Sequence, residues 1–543
     1  MAEWTIGAVV DAIAEAVPDR EMTVCGTRRT TFAQGADRTR RLASFLASRG
    51  LGAYRERRDL NRWECGQDVV ALVMHNDRYP EMVIGCLKAR TVPVNVNYYY
   101  SPGEVADLLA YLKPRAVIYH RSLGAKFASV LGDEALQAEL LISIDDGGGA
   151  ELPDAVTLED ALAQGDTDRD VAPSPDDLLM VCTGGTTGRP KGVMWRQGDI
   201  YVSSMNGADH DEVSEIHDKV ANAGPPWFAV SPLMHAAGMW TAFSGLLSGQ
   251  TVVLHDTKPR FDPRTVLETA QREKIGLMTM VGDAYAAPIV EELGRRSYDL
   301  SSMFAIGTGG AATNPKHQRA LLEHIPQITI INGFGSSETG NMGFGHTQRE
   351  TATAETFQLR AGGLVLADDY SRFLDPGDTE VGWVARNGRI PLGYFNDEAA
   401  TVKTFPEVAG ERVVVSGDRA SLEADGTLRL LGRDSLVVNT GGEKVFVEEI
   451  EEVLRAHPQV VDALAVGRPS ERWGEEIVAV VAVRDDVSPD ALRDHCANVL
   501  ARFKIPKEVV FVEQIRRLGN GKADYRWAKG VAVAAGQTER ERV

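Results

Sequence analysis

From about residue 65 to residue 435 short apolar runs alternate with amphipathic stretches, the pattern of a layered α/β region with a mostly parallel sheet. The run Leu178, Leu179, Met180, Val181, Cys182 reads as a buried strand. "SPGE" at Ser101 to Glu104 supplies an N-cap serine, a proline at the first helical position and a capping-box glutamate; Val105, Leu108, Leu109 and Leu112 follow at helical spacing. "AVIYH" is then the strand after that helix. Two segments interrupt the region: "YRERRDLNRWECGQ" reads as a local insertion and "DHDEVSEIHDKV" as an acidic loop. There His210 and His217 stand among Asp209, Asp211, Glu212, Glu215 and Asp218, but the spacing follows no tetrahedral metal pattern, and a solvated charge run is the expectation.

Near "DGTLRLLGRDS" the character changes. "ALAVG" and "EIVAVVAVR" predict strands, while "VEEIEEVLRAHP" and "SPDALRDHCANVLARF" predict helices, together a small α+β unit. In the second helix Leu492, Cys496, Val499, Leu500 and Phe503 share one face, which makes Cys496 a core residue rather than a nucleophile. The boundary falls at Arg433 to Ser435, dividing the chain into 1–432 and 433–543.

Composition narrows the class. At 543 residues the chain exceeds one ordinary core, and 43% hydrophobic with 25% charged content is that of a soluble globular protein. A formal charge of −19, without a basic block carrying aromatics, argues against nucleic acid. The five cysteines form no CxxC pair, so neither a disulfide framework nor a zinc site is implied. The first residues carry acids and no basic-then-apolar signal, and no apolar run approaches membrane-spanning length. A cytoplasmic enzyme with at most peripheral membrane contact is the expectation.

Candidate chemistry begins at "TGGTTGRPKG", Thr183 to Gly192, held between the strand before it and "VMW" after it. Backbone N–H groups of a glycine-rich turn, threonine hydroxyls and a lysine cation suit a polyphosphate. It is not a Walker A loop: Lys191 follows Pro190 and precedes Gly192, so no hydroxyl follows the lysine.

This arrangement resembles the phosphate loop of the adenylate-forming enzymes, which include acyl-CoA synthetases, luciferases and the adenylation domains of peptide synthetases. Thr183, Gly184, Gly185, Thr186, Thr187, Gly188 and Lys191 match it, with Gly184 where the family has serine. "GTGGAAT" at Gly307 to Thr313 and "INGFGSSETG" at Ile331 to Gly340 follow apolar runs as strand-to-loop turns, in the family's order. The resemblance implies that Gly309, Gly310 and Ala311 approach one face of adenine and that Phe334, between Gly333 and Gly335, stacks on the other. It implies further that Glu338, beside Ser337, binds magnesium, for which one carboxylate plus ATP phosphates suffices. Asp418 would take the ribose hydroxyls and Arg433 would lie near ribose and phosphate; the family's hinge position is Ser435 here. Gly441, Gly442 and Lys444 of "NTGGEKVF" resemble the segment that approaches coenzyme A, and Lys522 of "LGNGKADYR" the catalytic lysine.

The implied fold is a large N-terminal domain of layered α/β subdomains plus a small β region, with a small mobile α+β C-terminal lid. The implied activity is ATP- and magnesium-dependent formation of an acyl adenylate, then of a coenzyme A thioester. In "SPLMHAAGMW", His235 resembles the residue that gates the acyl pocket, and Met234, Met239, Val281 and Gly307 would border it. "PPWFAVSPLMHAAGMW", "TMVGDAYAAP" and "GKADYRWAK" resemble actinobacterial fatty-acyl-CoA synthetases that activate steroid side chains. A steroid side-chain acid is thus the expected substrate. A general medium- or long-chain fatty acid ligase, an aryl acid ligase and a noncatalytic ATP- or acyl-CoA-binding sensor stay open, and fold-level analogy allows a homodimer.

Overall fold

Val69–Val73 is buried along its whole length, as a strand covered on both faces must be, and it forms the middle of an eight-stranded sheet. That sheet orders Gly393–Tyr394, Pro190–Arg196, Leu178–Gly184, Val92–Asn95, Val69–Val73, Ala116–His120, Leu140–Ile144 and Val156–Thr157. All neighbours are parallel except the hairpin of Leu178–Gly184 with Pro190–Arg196 and the pairing of Gly393–Tyr394 on its outer edge. The computed structural model describes residues 3–133, 136, 138–166, 171–184, 190–255, 261–350, 356–433, 436–440, 443–470, 474–500, 502–518 and 522–540.

A nine-stranded sheet has a parallel middle, Thr329–Ser336, Ala305–Thr308, Leu277–Met280, Trp227–Ala229, Val252–Leu254 and Glu21–Cys25, flanked by antiparallel edges. Gly363–Leu366, Gly382–Arg386, Val414–Leu422 and Leu428–Arg433 form a small antiparallel sheet. The C-terminal sheet starts with Val437–Thr440 and is built around Gly474–Val483, with Val460–Ser470 antiparallel on one side and Glu508–Val512 parallel on the other. Its alternation is clean. Ala463, Ala465, Ile477, Ala479 and Val481 pack with Val447–Arg455 and Pro489–Ala497, while Leu464, Val466, Val478, Val480 and Ala482 pack with Tyr525–Arg540.

Local signals act where the sequence places them. Ser101 caps Pro102–Leu112 with both capping-box bonds made, and Val105, Leu108, Leu109 and Leu112 are its buried face. Three expectations need correction. The helix begun by Ser488 stops at Ala497, so Leu492, Cys496 and Leu500 are buried while Val499 and Phe503 are 68% and 37% exposed. The acidic segment is a loop only in part, because Val213–Ala221 is a helix whose Ile216 and Val220 are buried. His210 is not solvated either: its ring contacts Tyr201 Oη at 3.0 Å and Glu215, and its carbonyl accepts from the Trp4 indole. Finally, "INGFGS" is no loop, since Thr329–Ser336 pairs with Gly340–Thr347 as a hairpin and only the turn lies at Ser337–Thr339.

Candidate active site

In a sheet of parallel strands, loops at the carboxyl ends gather into one crevice. Here Trp227–Ala229 leads to His235, Leu277–Met280 to Val281, Ala305–Thr308 to Gly309–Thr313, and Thr329–Ser336 to Glu338. Glycine makes that convergence possible. Gly310 sits at φ +77°, a left-handed conformation that L side chains rarely adopt. On Gly282, at φ +53°, a Cβ would stand 2.8 Å from the Ala312 carbonyl oxygen. A Cβ on Gly307 would meet the Thr279 side-chain methyl at 3.0 Å.

The turn carrying Glu338 is clamped from three sides. The buried Trp195 indole donates to the Ser337 carbonyl at 2.9 Å, and Arg386 Nη1 donates to the carbonyls of Thr339 and Asn341 at 2.9 and 3.1 Å. Burial pushes Arg386 down to about 10. The third contact reaches the carboxylate itself: Tyr394 Oη donates to Glu338 Oε1 at 2.8 Å. Glu338 Oε2 has no hydrogen-bond partner among the described residues. A half-buried carboxylate with one oxygen anchored and one open is a donor set that a hard cation such as magnesium fits.

Lys191 stands nearby on the other sheet, its ammonium 5.0 Å from the Tyr394 ring centre and 3.2 Å from Asp397. Tyr394 joins the two sheets at this point, and Asp397 anchors Lys191 beside it. Sequence reasoning missed both, together with Trp195 and Arg386; the only signal was the mixed glycine, aromatic and Asx composition of "LGYFND", which by itself marks a turn.

His235 occupies the N-cap position of the helix Ala236–Leu246, and its buried Nε2 has no hydrogen-bond partner among the described residues. Burial pushes its imidazole down to about 4, and the charge of Lys522 adds to that effect across the domain junction. Lys522 itself is exposed, and its carbonyl accepts from the Leu518 amide at 2.8 Å. Asp418 faces Arg433 across adjacent strands, and Ser416 Oγ donates to its Oδ2 at 2.7 Å.

Other expected site residues sit differently. The Phe334 ring packs on Phe357, with centres 4.8 Å apart, at the edge of the small-sheet core. Met234 and Met239 are each 2% exposed and belong to two separate core clusters. Gly185, Thr186, Thr187, Gly188, Gly441, Gly442 and the hinge position Ser435 lie outside the described residues. For Thr183, Gly184, Arg433 and Lys444 the strands are described: Thr183 pairs with Lys191, Gly184 with Pro190, and Lys444 with Asn439.

Residues 10–382 match the model of the AMP-binding enzyme family, and residues 449–522 match that of the AMP-binding enzyme C-terminal domain. The chain belongs to the AMP-binding enzyme family. This AMP-binding enzyme is 43% identical to medium-chain acyl-CoA ligase Mig of Mycobacterium avium, over 98% of each chain. It is 36% identical to 3-oxocholest-4-en-26-oate–CoA ligase of Rhodococcus rhodochrous, over 96% of this chain and 95% of that one. The anthranilate CoA ligase AuaEII, solved with anthranoyl-AMP, has the same fold, with a TM-score of 0.81 at 20% identity over 98% of both chains. Among the described residues no helix is long and apolar enough to cross a membrane.

Proposed function

We propose that this AMP-binding enzyme is an AMP-forming acyl-CoA ligase for lipid carboxylic acids. The observation that carries the reading is the meeting of Lys191, Glu338 and Tyr394 between two sheets, with the Lys522 charge felt at His235 in the same crevice. In the first half-reaction the substrate carboxylate attacks the α-phosphorus of ATP, the bond to pyrophosphate breaks, and an acyl adenylate forms. Lys191 would neutralise the leaving phosphates, Lys522 the developing charge at the α-phosphate, and Asp418 with Arg433 would hold the ribose. Glu338 would hold magnesium, which when bound screens phosphate charge. Gly309, Gly310 and Ala311 would supply the backbone against adenine. His235, neutral at physiological pH because it is buried, would border the acyl group without placing a second cation beside Lys522.

In the second half-reaction the coenzyme A thiol attacks the acyl carbon and AMP leaves. The unit from residue 433 onward would turn to withdraw Lys522 and present Gly441, Gly442 and Lys444.

The two relatives frame the acid. The 43% match to a medium-chain ligase favours a medium-chain acid, and the 36% match to a steroid-acid ligase supports a steroid side-chain acid as the second reading. Pyrophosphate release with octanoate, palmitate and a steroid bearing a carboxylated side chain, each with and without coenzyme A, tests both. Fastest turnover with octanoate supports the first and fastest with the steroid the second; no release with any acid overturns the ligase reading in favour of a sensor.

A further inference from the structure

We propose that Tyr394 is a positioning residue that presents Glu338 and Lys191 together to the metal and phosphates of one ATP while keeping the two from pairing with each other. The inference rests on the adenylation reading above. Glu338 and Lys191 come from different sheets and carry opposite charges; the Lys191 side chain is 37% exposed, so water partly screens it, but direct pairing with Glu338 would still close the two groups on each other. That closure would remove both groups from the ligand. Among the described residues Lys191 pairs instead with Asp397 at 3.2 Å, and the Tyr394 side chain contacts both members, by its hydroxyl to Glu338 Oε1 at 2.8 Å and by its ring to the Lys191 ammonium at 5.0 Å. A charge-assisted hydrogen bond fixes the carboxylate, and the negative face of the ring holds the cation.

Tyr394 can perform this task because it is itself immobilised. Gly393–Tyr394 pairs with Val193 and Met194, two and three residues beyond Lys191, so ring and lysine share one strand register. The Tyr394 amide donates to Thr401 Oγ1 at 2.9 Å, the ring meets Phe405 edge-on at 5.9 Å, and the residue is 7% exposed. Asp397 accepts from the Ala400 amide at 2.9 Å as the cap of Glu398–Thr404, so the lysine's carboxylate partner is also fixed.

The two contacts separate by substitution. In the full chain, Tyr394→Phe keeps the ring and loses the hydroxyl, whereas Tyr394→Leu loses both. Manganese bound with α,β-methylene-ATP, read from the free-ion signal in electron paramagnetic resonance, should weaken about tenfold in both variants. Metal-free binding of the same analogue, read by calorimetry, should stay within about twofold of the parent in Tyr394→Phe and weaken about threefold in Tyr394→Leu. Parent-like manganese binding in Tyr394→Phe, whose shape is conserved, overturns the proposal. Glu338→Gln and Lys191→Ala, run alongside, distinguish the two levels. If they too bind manganese and nucleotide as the parent does, the site reading has failed; if they weaken while Tyr394→Phe does not, only the role of Tyr394 has.

Discussion

A Cβ added to Gly309 would stand 2.9 Å from the carbonyl oxygen of Gly333, so the glycines of "GTGGAAT" and "INGFGSSETG" lie back to back where Ala305–Thr308 ends beside the adjacent strand Thr329–Ser336. The obstacle is backbone and cannot swing aside. Gly309→Val should weaken ATP or AMP at least about tenfold by calorimetry, because relieving the clash moves the chain that would face adenine. Gly103→Ala is the control: nothing stands within 4 Å, and in an exposed helical turn it should raise stability by about 0.5 to 1 kcal/mol. Unchanged nucleotide affinity in Gly309→Val would place the nucleotide elsewhere.

Lys522→Ala should reduce adenylate formation by at least about a thousandfold, about 4 kcal/mol of barrier, while largely sparing thioester formation from supplied acyl adenylate. Single-turnover assays of each half-reaction make the comparison. Equal losses in both would remove Lys522 from the specific role proposed for it.

His235 makes stability depend on pH in a defined window. Its folded pKa of about 4 lies below the unfolded value near 6.5, so between those pH values the unfolded chain binds a proton that the folded chain does not. Stability therefore falls as pH drops from about 6.5 toward 4, and the residue contributes no pH dependence above that range. Urea unfolding at pH 7 and pH 4.5 should show a difference smaller by about 2 to 3 kcal/mol in His235→Asn than in the parent. An identical difference would mean that the imidazole protonates in place.

The clamp on the Glu338 turn should be costly to open. Arg386→Met leaves the Thr339 and Asn341 carbonyls without their donor, a loss of about 2 to 4 kcal/mol; Trp195→Phe leaves that of Ser337, about 1 to 2 kcal/mol. Denaturant midpoints measure both, and manganese binding should weaken in each variant that still folds. A change below about 0.5 kcal/mol in Arg386→Met would show that water replaces the guanidinium.

Much of the fold was legible because its signals are local. The Ser101 capping box, the apolar strand Leu178 to Cys182 and the strands read from "ALAVG" and "EIVAVVAVR" each follow from neighbours a few residues apart. Errors arose where a local signal was overruled at a distance. "INGFGSSETG" has turn composition, yet pairing with Gly340–Thr347 makes most of it strand, and Gly335 is required because a Cβ there would stand 2.0 Å from the Gly340 carbonyl oxygen. Val499 and Phe503 fit a helical face that ends at Ala497.

By itself the sequence determined the α/β layering, the small α+β unit after Arg433, and the ordered motifs that led to an adenylate-forming family. Those properties reside in period, composition and order along the chain. Only the tertiary structure decided that Tyr394 links Glu338 to Lys191, that Trp195 and Arg386 hold the Glu338 turn, and that Lys522 is felt at His235. Each of these joins residues from different sheets or domains, and the free energy of such a contact depends on distance in space, which no spacing in the chain encodes.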